Sequence, residues 1–575
     1  MIISIATIRK HLALPKTSWQ ICLLAIIGGA ASALLVVLFT LTIEEIQQLY
    51  LIKRDNYNSL DEVSRFHLPI IGSLIILLMA WLTGYQYIRT GIPFVLHRLK
   101  VAHGIIPFKN TLNQFWGSAV ALASGFSVGR EGPAVHLGAA CSSYLGSVLK
   151  LPYNSTRTLC ACGIAAGIAA TFNTPIAAVI FVMEVVMREY KAHIFVPVML
   201  ASIVGSLITR SVFGTSHNFQ HFNTIALEQQ HYFSLVLLAI VLGILAAAFN
   251  KYLVVIIKKS VKYHIVPRLI LAALITGTLG YLVPGAMGTG TSAIDISLTN
   301  NLPLGFLFSL LIAKLLMTMF ALGLGIPGGI IGPTISIGAI TGALVGAIIL
   351  QVLPGVHVSS DFILMGMAGF MAASLNAPLA TLLAVVELSG QLELVVPGMI
   401  VITIASIVSR QLCKNESIFI MQLDAQNLLY RKPPVEESLQ NIGALAVMKD
   451  NLLILDQASP RTIIGELLHS HESQLIINKE PANQTDRPNN YYWAQLDAEA
   501  FDDKNESDDE DNLAKKLILH KLIPLSHQVT LAEAYLALVE QRSGAVYIYN
   551  KDINDCIGLV TFEQLRIYLL EGKLN

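Results

Sequence analysis

Gly129-Arg130-Glu131-Gly132-Pro133 and Gly328-Gly329-Ile330-Ile331-Gly332-Pro333 are one phrase written twice. Gly129, Gly132, Pro133, Gly138 and Ala139 return as Gly329, Gly332, Pro333, Gly338 and Ala339, each 200 residues on. Working outward, Ala169, Ala170, Asn173, Pro175, Ala177 and Glu184 return as Ala372, Ala373, Asn376, Pro378, Ala380 and Glu387, now at a spacing of 203. Thr90-Gly91 and Thr289-Gly290 keep the register. A repeat of this kind means one structural unit built twice. Each copy is broken by Gly and Pro, the pattern expected where discontinuous helices meet near a bilayer midplane and form a site there.

Composition points to the same solvent. Of 575 residues, 54% are hydrophobic and 13% charged, against about 25% charged in soluble domains. The mean hydropathy is +0.62. Ile21 to Thr42, Leu68 to Thr83, Phe233 to Phe249 and Phe306 to Ile326 read as uncharged apolar stretches near the roughly 20 residues that a spanning helix needs. Net charge is zero and no long basic tract occurs, which argues against a nucleic-acid partner. The cysteines Cys22, Cys141, Cys160, Cys162, Cys413 and Cys556 show neither disulfide-framework nor metal-ligand spacing, so no metal and no cofactor is expected. Arg9, Lys10 and Lys16 precede a first apolar run too long for a signal-peptide core, and we read a retained span with a cytoplasmic start.

The expected fold is an all-α polytopic membrane domain of two inverted-topology repeats of broken helices, followed by a small α/β domain. Residues 1–18 form an N-terminal cytoplasmic segment, 19–432 the membrane domain with repeats of roughly 68–225 and 233–425, and 433–575 a cytoplasmic domain. The boundary lies at Lys432-Pro433-Pro434, where polar and apolar residues begin to alternate. Within the tail, Thr530–Val539 has helical spacing, Ala545–Tyr549 and Cys556–Thr561 read as strands, and another helix follows. Helix, strand, strand, helix resembles a CBS motif. A weaker partner runs from Ala446 to Ile477, separated from it by a solvated acidic linker at 497–511.

A helix that starts inside a membrane must have its end covered by protein or by a watered path. Its free N–H groups and positive dipole end attract an anion, and Gly lets the backbone come close. Gly91-Ile92-Pro93, Gly129 to Pro133 and Gly328 to Pro333 each read as such a start, with Pro in the first turn. Gly91, Ile92, Gly129, Arg130, Gly132, Gly329, Ile330 and Ile331 are therefore candidate anion-binding positions. Between Asn110 and Lys150 the only formal charges are Arg130 and Glu131, and an intramembrane ionisable pair is a functional hypothesis by default. Neighbours on a helix point about 100° apart, so the two do not simply neutralise each other. A carboxylate beside anion-seeking helix ends competes with the anion, and protonation removes the competitor. His136 reads as a packed or water-bound side chain.

The runs Arg89-Thr90-Gly91-Ile92-Pro93, Gly129 to Pro133 and Gly329 to Pro333 resemble the three signature stretches of the CLC family of chloride channels and chloride/proton exchangers, over roughly residues 19 to 425. The resemblance implies chloride held by backbone amides, Glu131 as gate, and a homodimer with one pore per subunit in the plasma or inner membrane. It also implies three departures. Thr90 stands where the family has a serine hydroxyl facing the anion, beside an unusual Arg89. Phe419 stands where a tyrosine donates to the central anion, which forfeits on the order of 1.5–3 kcal/mol of hydrogen bonding. Val185 stands where exchangers carry an internal proton glutamate. Glu184, which recurs as Glu387, reads as a helix-end residue rather than a proton carrier. The expected function is a passive gated chloride channel; the alternative is a chloride/proton exchanger with a water-mediated proton route. More distant alternatives are an intramembrane enzyme, for which no motif speaks, and a nucleotide-sensing module. An adenine nucleotide at the tail is the one ligand expected there.

Overall fold

In hydrocarbon a chain can satisfy its own backbone groups only as a helix or a closed barrel, and the Leu-, Ile- and Ala-rich runs take the helix. The computed structural model describes residues 5–85, 91–214, 231–298, 302–352, 360–429, 434–456, 458–469, 474–478, 490–497, 513–514 and 516–571. Among these, eight helices are long and apolar enough to cross a membrane: Trp19–Gln48, Glu62–Thr83, Ala192–Phe213, Tyr232–Ser260, Ile265–Leu282, Leu304–Leu324, Ile331–Ile349 and Leu392–Leu412. Shorter apolar helices, Pro175–Met187, Asp361–Leu375 and Pro378–Ser389, complete the set. One expectation needs correcting: the run read as uncharged from Phe306 to Ile326 holds Lys314, which is fully buried.

The chain divides into two compact units, Ile21–Ser147 with Arg157–Tyr430, and Met1–Gln20 with Val148–Thr156 and Arg431–Asn575. In the first, the repeat is physical. Gly138 packs on Gly163 so closely that an added Cβ would lie 2.2 Å from its carbonyl oxygen, and Gly338 packs on Gly366 with the corresponding gap 2.3 Å. Small residues let backbones approach in this way when lipid supplies no hydrophobic drive between helices. Asn173 and Asn376 both turn the chain through positive φ, 58° and 56°, ahead of Pro175 and Pro378, which open the next helices.

Those two helices cap each other. Glu387 accepts from the N–H groups of Ile176 (3.1 Å) and Ala177 (2.8 Å), while Glu184 accepts from Leu379 (3.3 Å) and Ala380 (2.7 Å). Each carboxylate thus satisfies orphan donors at a helix start and sits at the positive end of its dipole.

In the second unit, β1 (Leu452–Asp456) and β2 (Gln474–Asn478) run parallel, and β3 (Tyr491–Leu496) and β4 (Leu517–Lys521) extend that sheet antiparallel. A three-stranded sheet pairs β5 (Ile523–Ser526) parallel to β6 (Ala545–Tyr549), which pairs antiparallel to β7 (Cys556–Thr561). Helix Leu531–Leu538 starts with a capping box of Thr530 and Glu533. Helix, β6, β7 and helix Phe562–Glu571 follow in the expected order, and this small α/β arrangement fits a CBS-like domain. The N-terminal helix Ile5–Ala13 belongs to the same unit: Asn154, Ser155 and the Gly443 N–H donate to its last carbonyls, those of Leu12 and Ala13. Arg9, His527 and Gln528 meet the carbonyls of Leu149, Lys150 and Leu151. Burial pushes the His527 pKa below its ordinary 6.5, and the Arg9 and Lys150 charges push the same way. Of the acidic linker, residues 498–511 lie outside the described residues.

Candidate anion site

The two glycine phrases meet face to face. Gly129 N–H donates to Gly329 O at 2.7 Å, and Gly329 N–H donates to Gly129 O at the same distance. This reciprocal pair joins position 129 to position 329 across the repeat. Helices Glu131–Val148 and Ile331–Val352 start within two residues of it. A Cβ on Gly329 would fall 2.5 Å from the backbone N of Gly132, and one on Gly129 would fall 2.0 Å from Glu131 Oε2 and displace that carboxylate. Glycine is used for close approach, of backbone to backbone and of backbone to carboxylate.

Glu131 is buried, and its carboxylate fills the space that the glycines leave. Oε1 lies 3.1 Å from where a Gly332 Cβ would stand, and the N–H groups of Gly332 and of Glu131 itself face the carboxylate. Oε2 has no hydrogen-bond partner. The charged group that acts on it is Arg130. An oxyanion of the protein's own therefore sits where two helix starts aim their donors.

The other candidates spread around this point. Gly91 opens helix Gly91–Val101 at φ +82°, with an added Cβ 3.8 Å from Gly328 O, and Ile92 is buried behind it. Ile330 and Ile331 are both buried, and Gly132 packs on Gly328 and Gly329. Arg89 and Thr90 lie outside the described residues. Phe419, in helix Ile418–Ala425, is buried with its ring edge-on to Phe181 at 6.4 Å. Val185 is buried in the widened turn Val182–Met187. Phe181 and Ile331 also line a cavity of about 40 Å³ whose polar lining is Thr174 and Thr381. His136 is fully buried and stacked on Phe94 at 5.7 Å, and neither ring nitrogen has a partner. Among the described residues no group of His, Cys, Asp or Glu could hold a metal ion.

A family model described as voltage gated chloride channel matches residues 72–410. The chain belongs to the CLC family. The H(+)/Cl(-) exchange transporter ClcA of Vibrio campbellii is 28% identical over 325 residues, 55% of this chain and 68% of the relative. The putative chloride channel protein ClcB-like of Ralstonia nicotianae is 30% identical over 363 residues, 59% of this chain and 80% of the relative. In fold, the chain resembles a slow cyanobacterial Cl-/H+ antiporter (TM-score 0.63, 19% identity, 71% of this chain and 98% of that one). It also resembles a eukaryotic CLC transporter (TM-score 0.59, 17% identity), and there 95% of this chain is covered, with 98% of the other. The CLC protein described here is thus an integral, multi-pass membrane protein that transports anions.

Sequence reasoning passed over two charged residues of the membrane unit. Lys314 is the sole Lys, Arg, Asp or Glu between Asp295 and Asp361, the same signal that singled out Arg130 and Glu131. Asp55 gave no signal, because it follows Lys53 and Arg54 in a polar link between spans.

Proposed function

We propose that the protein exchanges chloride for protons, with Glu131 holding the anion position as a carboxylate and releasing it when protonated. The observation that carries this reading is the seat of the Glu131 carboxylate among Gly129, Gly329 and Gly332. Ionised, it excludes chloride by charge and by space. Protonated, it is neutral, its hold on the amides weakens, and chloride can take them. One side chain then counts a proton against an anion.

Passive conduction, the expectation from the sequence, has less support than exchange. Curated relatives from two Vibrio species bear the name H(+)/Cl(-) exchange transporter. The Ralstonia relative's name points the other way, and Val185 and Phe419 are what favours a channel. Under the exchange reading protons bypass residue 185. The cavity beside Phe181 and Ile331 is large enough for water, since about 10–15 Å³ holds one molecule, and Thr174 and Thr381 are the polar residues in its otherwise apolar lining. We further propose a homodimer with one pore per subunit, with both termini cytoplasmic and a regulatory tail that binds adenine nucleotide.

The test is flux from purified protein in liposomes, with a chloride gradient and equal pH on both sides. Chloride running down its gradient is expected to drive protons in the opposite direction and so build a pH difference across the membrane. Chloride flow that leaves the proton gradient at zero would reinstate the channel.

A further inference from the structure

Repeat two grips an internal carboxylate that comes from outside it, Asp55 of the link between the first two spans. The repeat's loop at 286–291 stands in register with the Thr90-Gly91 region, and Gly290, like Gly91, has positive φ (+108°). Asp55 is buried there. It accepts from Thr289 N–H at 3.1 Å, from the Thr289 hydroxyl and from the Thr291 hydroxyl at 2.7 Å. Lys314, fully buried in the middle of helix Leu304–Leu324, donates to Ala286 O (3.1 Å) and Gly288 O (2.9 Å). One loop is thus gripped by a carboxylate on its donors and an ammonium on its acceptors. Repeat one has the uncharged Gln114 200 residues before Lys314.

Both sides of the gate touch this loop. Gly288 N–H donates to Gly125 O at 3.0 Å, four residues before Gly129. Thr289 O lies 3.4 Å from where a Cβ on Gly332 would stand, and Glu131 Oε1 lies 3.1 Å from that same point. Thr318, one turn after Lys314, hydrogen-bonds Ser127 at 2.8 Å.

We propose that Asp55 and Lys314 are positioning residues for Glu131: together they seat the 286–291 loop against Gly125 and Gly332, and their balanced charges set the field in which the gate takes up its proton. This rests on the reading of Glu131 as the gate. Arg130 is the charged group that faces Glu131 directly, and Tyr50 and Tyr57 are the titratable groups beside Asp55. Removing either member of the pair leaves the other's charge uncompensated on the 286–291 loop, whose Thr289 O lies against Gly332. Asp55→Asn leaves a cation, which favours ionised Glu131; Lys314→Met leaves an anion, which disfavours it.

The experiment is chloride flux across external pH for the wild type, Asp55→Asn, Lys314→Met, Lys314→Arg and Glu131→Gln, all as full chains in liposomes. The flux midpoint is expected to move to lower pH in Asp55→Asn, to higher pH in Lys314→Met, and back toward wild type in Lys314→Arg. Asp55→Asn keeps the shape of the side chain, so it can be read even if Lys314→Met does not fold. A merely structural pair would scale flux equally at every pH, and unmoved midpoints, or shifts of the same sign, would overturn the proposal. A pH profile that survives Glu131→Gln would overturn the gate and this inference together. A profile abolished by Glu131→Gln beside an unmoved Asp55→Asn would overturn this inference alone.

Discussion

Phe419 shows what a single atom decides at this site. Its ring is buried against Phe181 and carries no donor, so an anion bound beside it, as the family resemblance implies, would find no side-chain hydroxyl there. A hydroxyl restored by Phe419→Tyr adds a hydrogen bond to an ion, worth about 1.5–3 kcal/mol. The expected result is a rise of about tenfold or more in apparent chloride affinity, read by isothermal titration calorimetry. Unchanged affinity would place this ring away from the anion. At this scale the sequence was legible where chemistry is rare: Glu131 stood out as a charge amid apolar residues. The sequence could not convey that its carboxylate folds back over Gly129. That contact depends on the Gly129–Gly329 pairing, which joins residues far apart in the chain.

The helices opened by Pro175 and Pro378 explain why Glu184 and Glu387 recur in both repeats. Each carboxylate leaves its own helix and caps the start of the other. Replacing either with Gln keeps the shape but weakens the charge-assisted bonds, and a lost cap costs about 0.5–2 kcal/mol. Glu184→Gln and Glu387→Gln are each expected to lower the unfolding temperature in detergent while leaving proton coupling intact. Loss of coupling in Glu184→Gln with unchanged stability would make Glu184 a proton carrier instead. The helical breaks themselves were legible, because Gly and Pro punctuate helices for steric reasons. The tail was readable in part. The helix and strands of its second half follow period and turn signals, whereas β5 carries Pro524 and shows no alternation, so its parallel pairing with β6 had no local signature. The capping box of Thr530 and Glu533 was a local signal left unread.

Across the molecule, two-fold structure carries a one-fold function. The scaffold repeats down to paired glycines, paired asparagine turns and paired glutamate caps. The chemistry does not repeat: Glu131 faces the uncharged residue Ile331 across the 200-residue step, and Lys314 faces Gln114. Symmetry places the helix starts, and departures from it place the charges. The repeat was visible in the sequence because it lies in spacing. The Asp55 and Lys314 pair was not, because it joins a polar link to the middle of a span. The most direct test of the account is chloride flux through Glu131→Gln in liposomes across external pH. Glutamine is neutral at every pH, so flux is expected to lose its pH dependence and to run without moving protons. A Glu131→Gln protein that kept the wild-type pH profile and still drove protons uphill would show that the gate lies elsewhere.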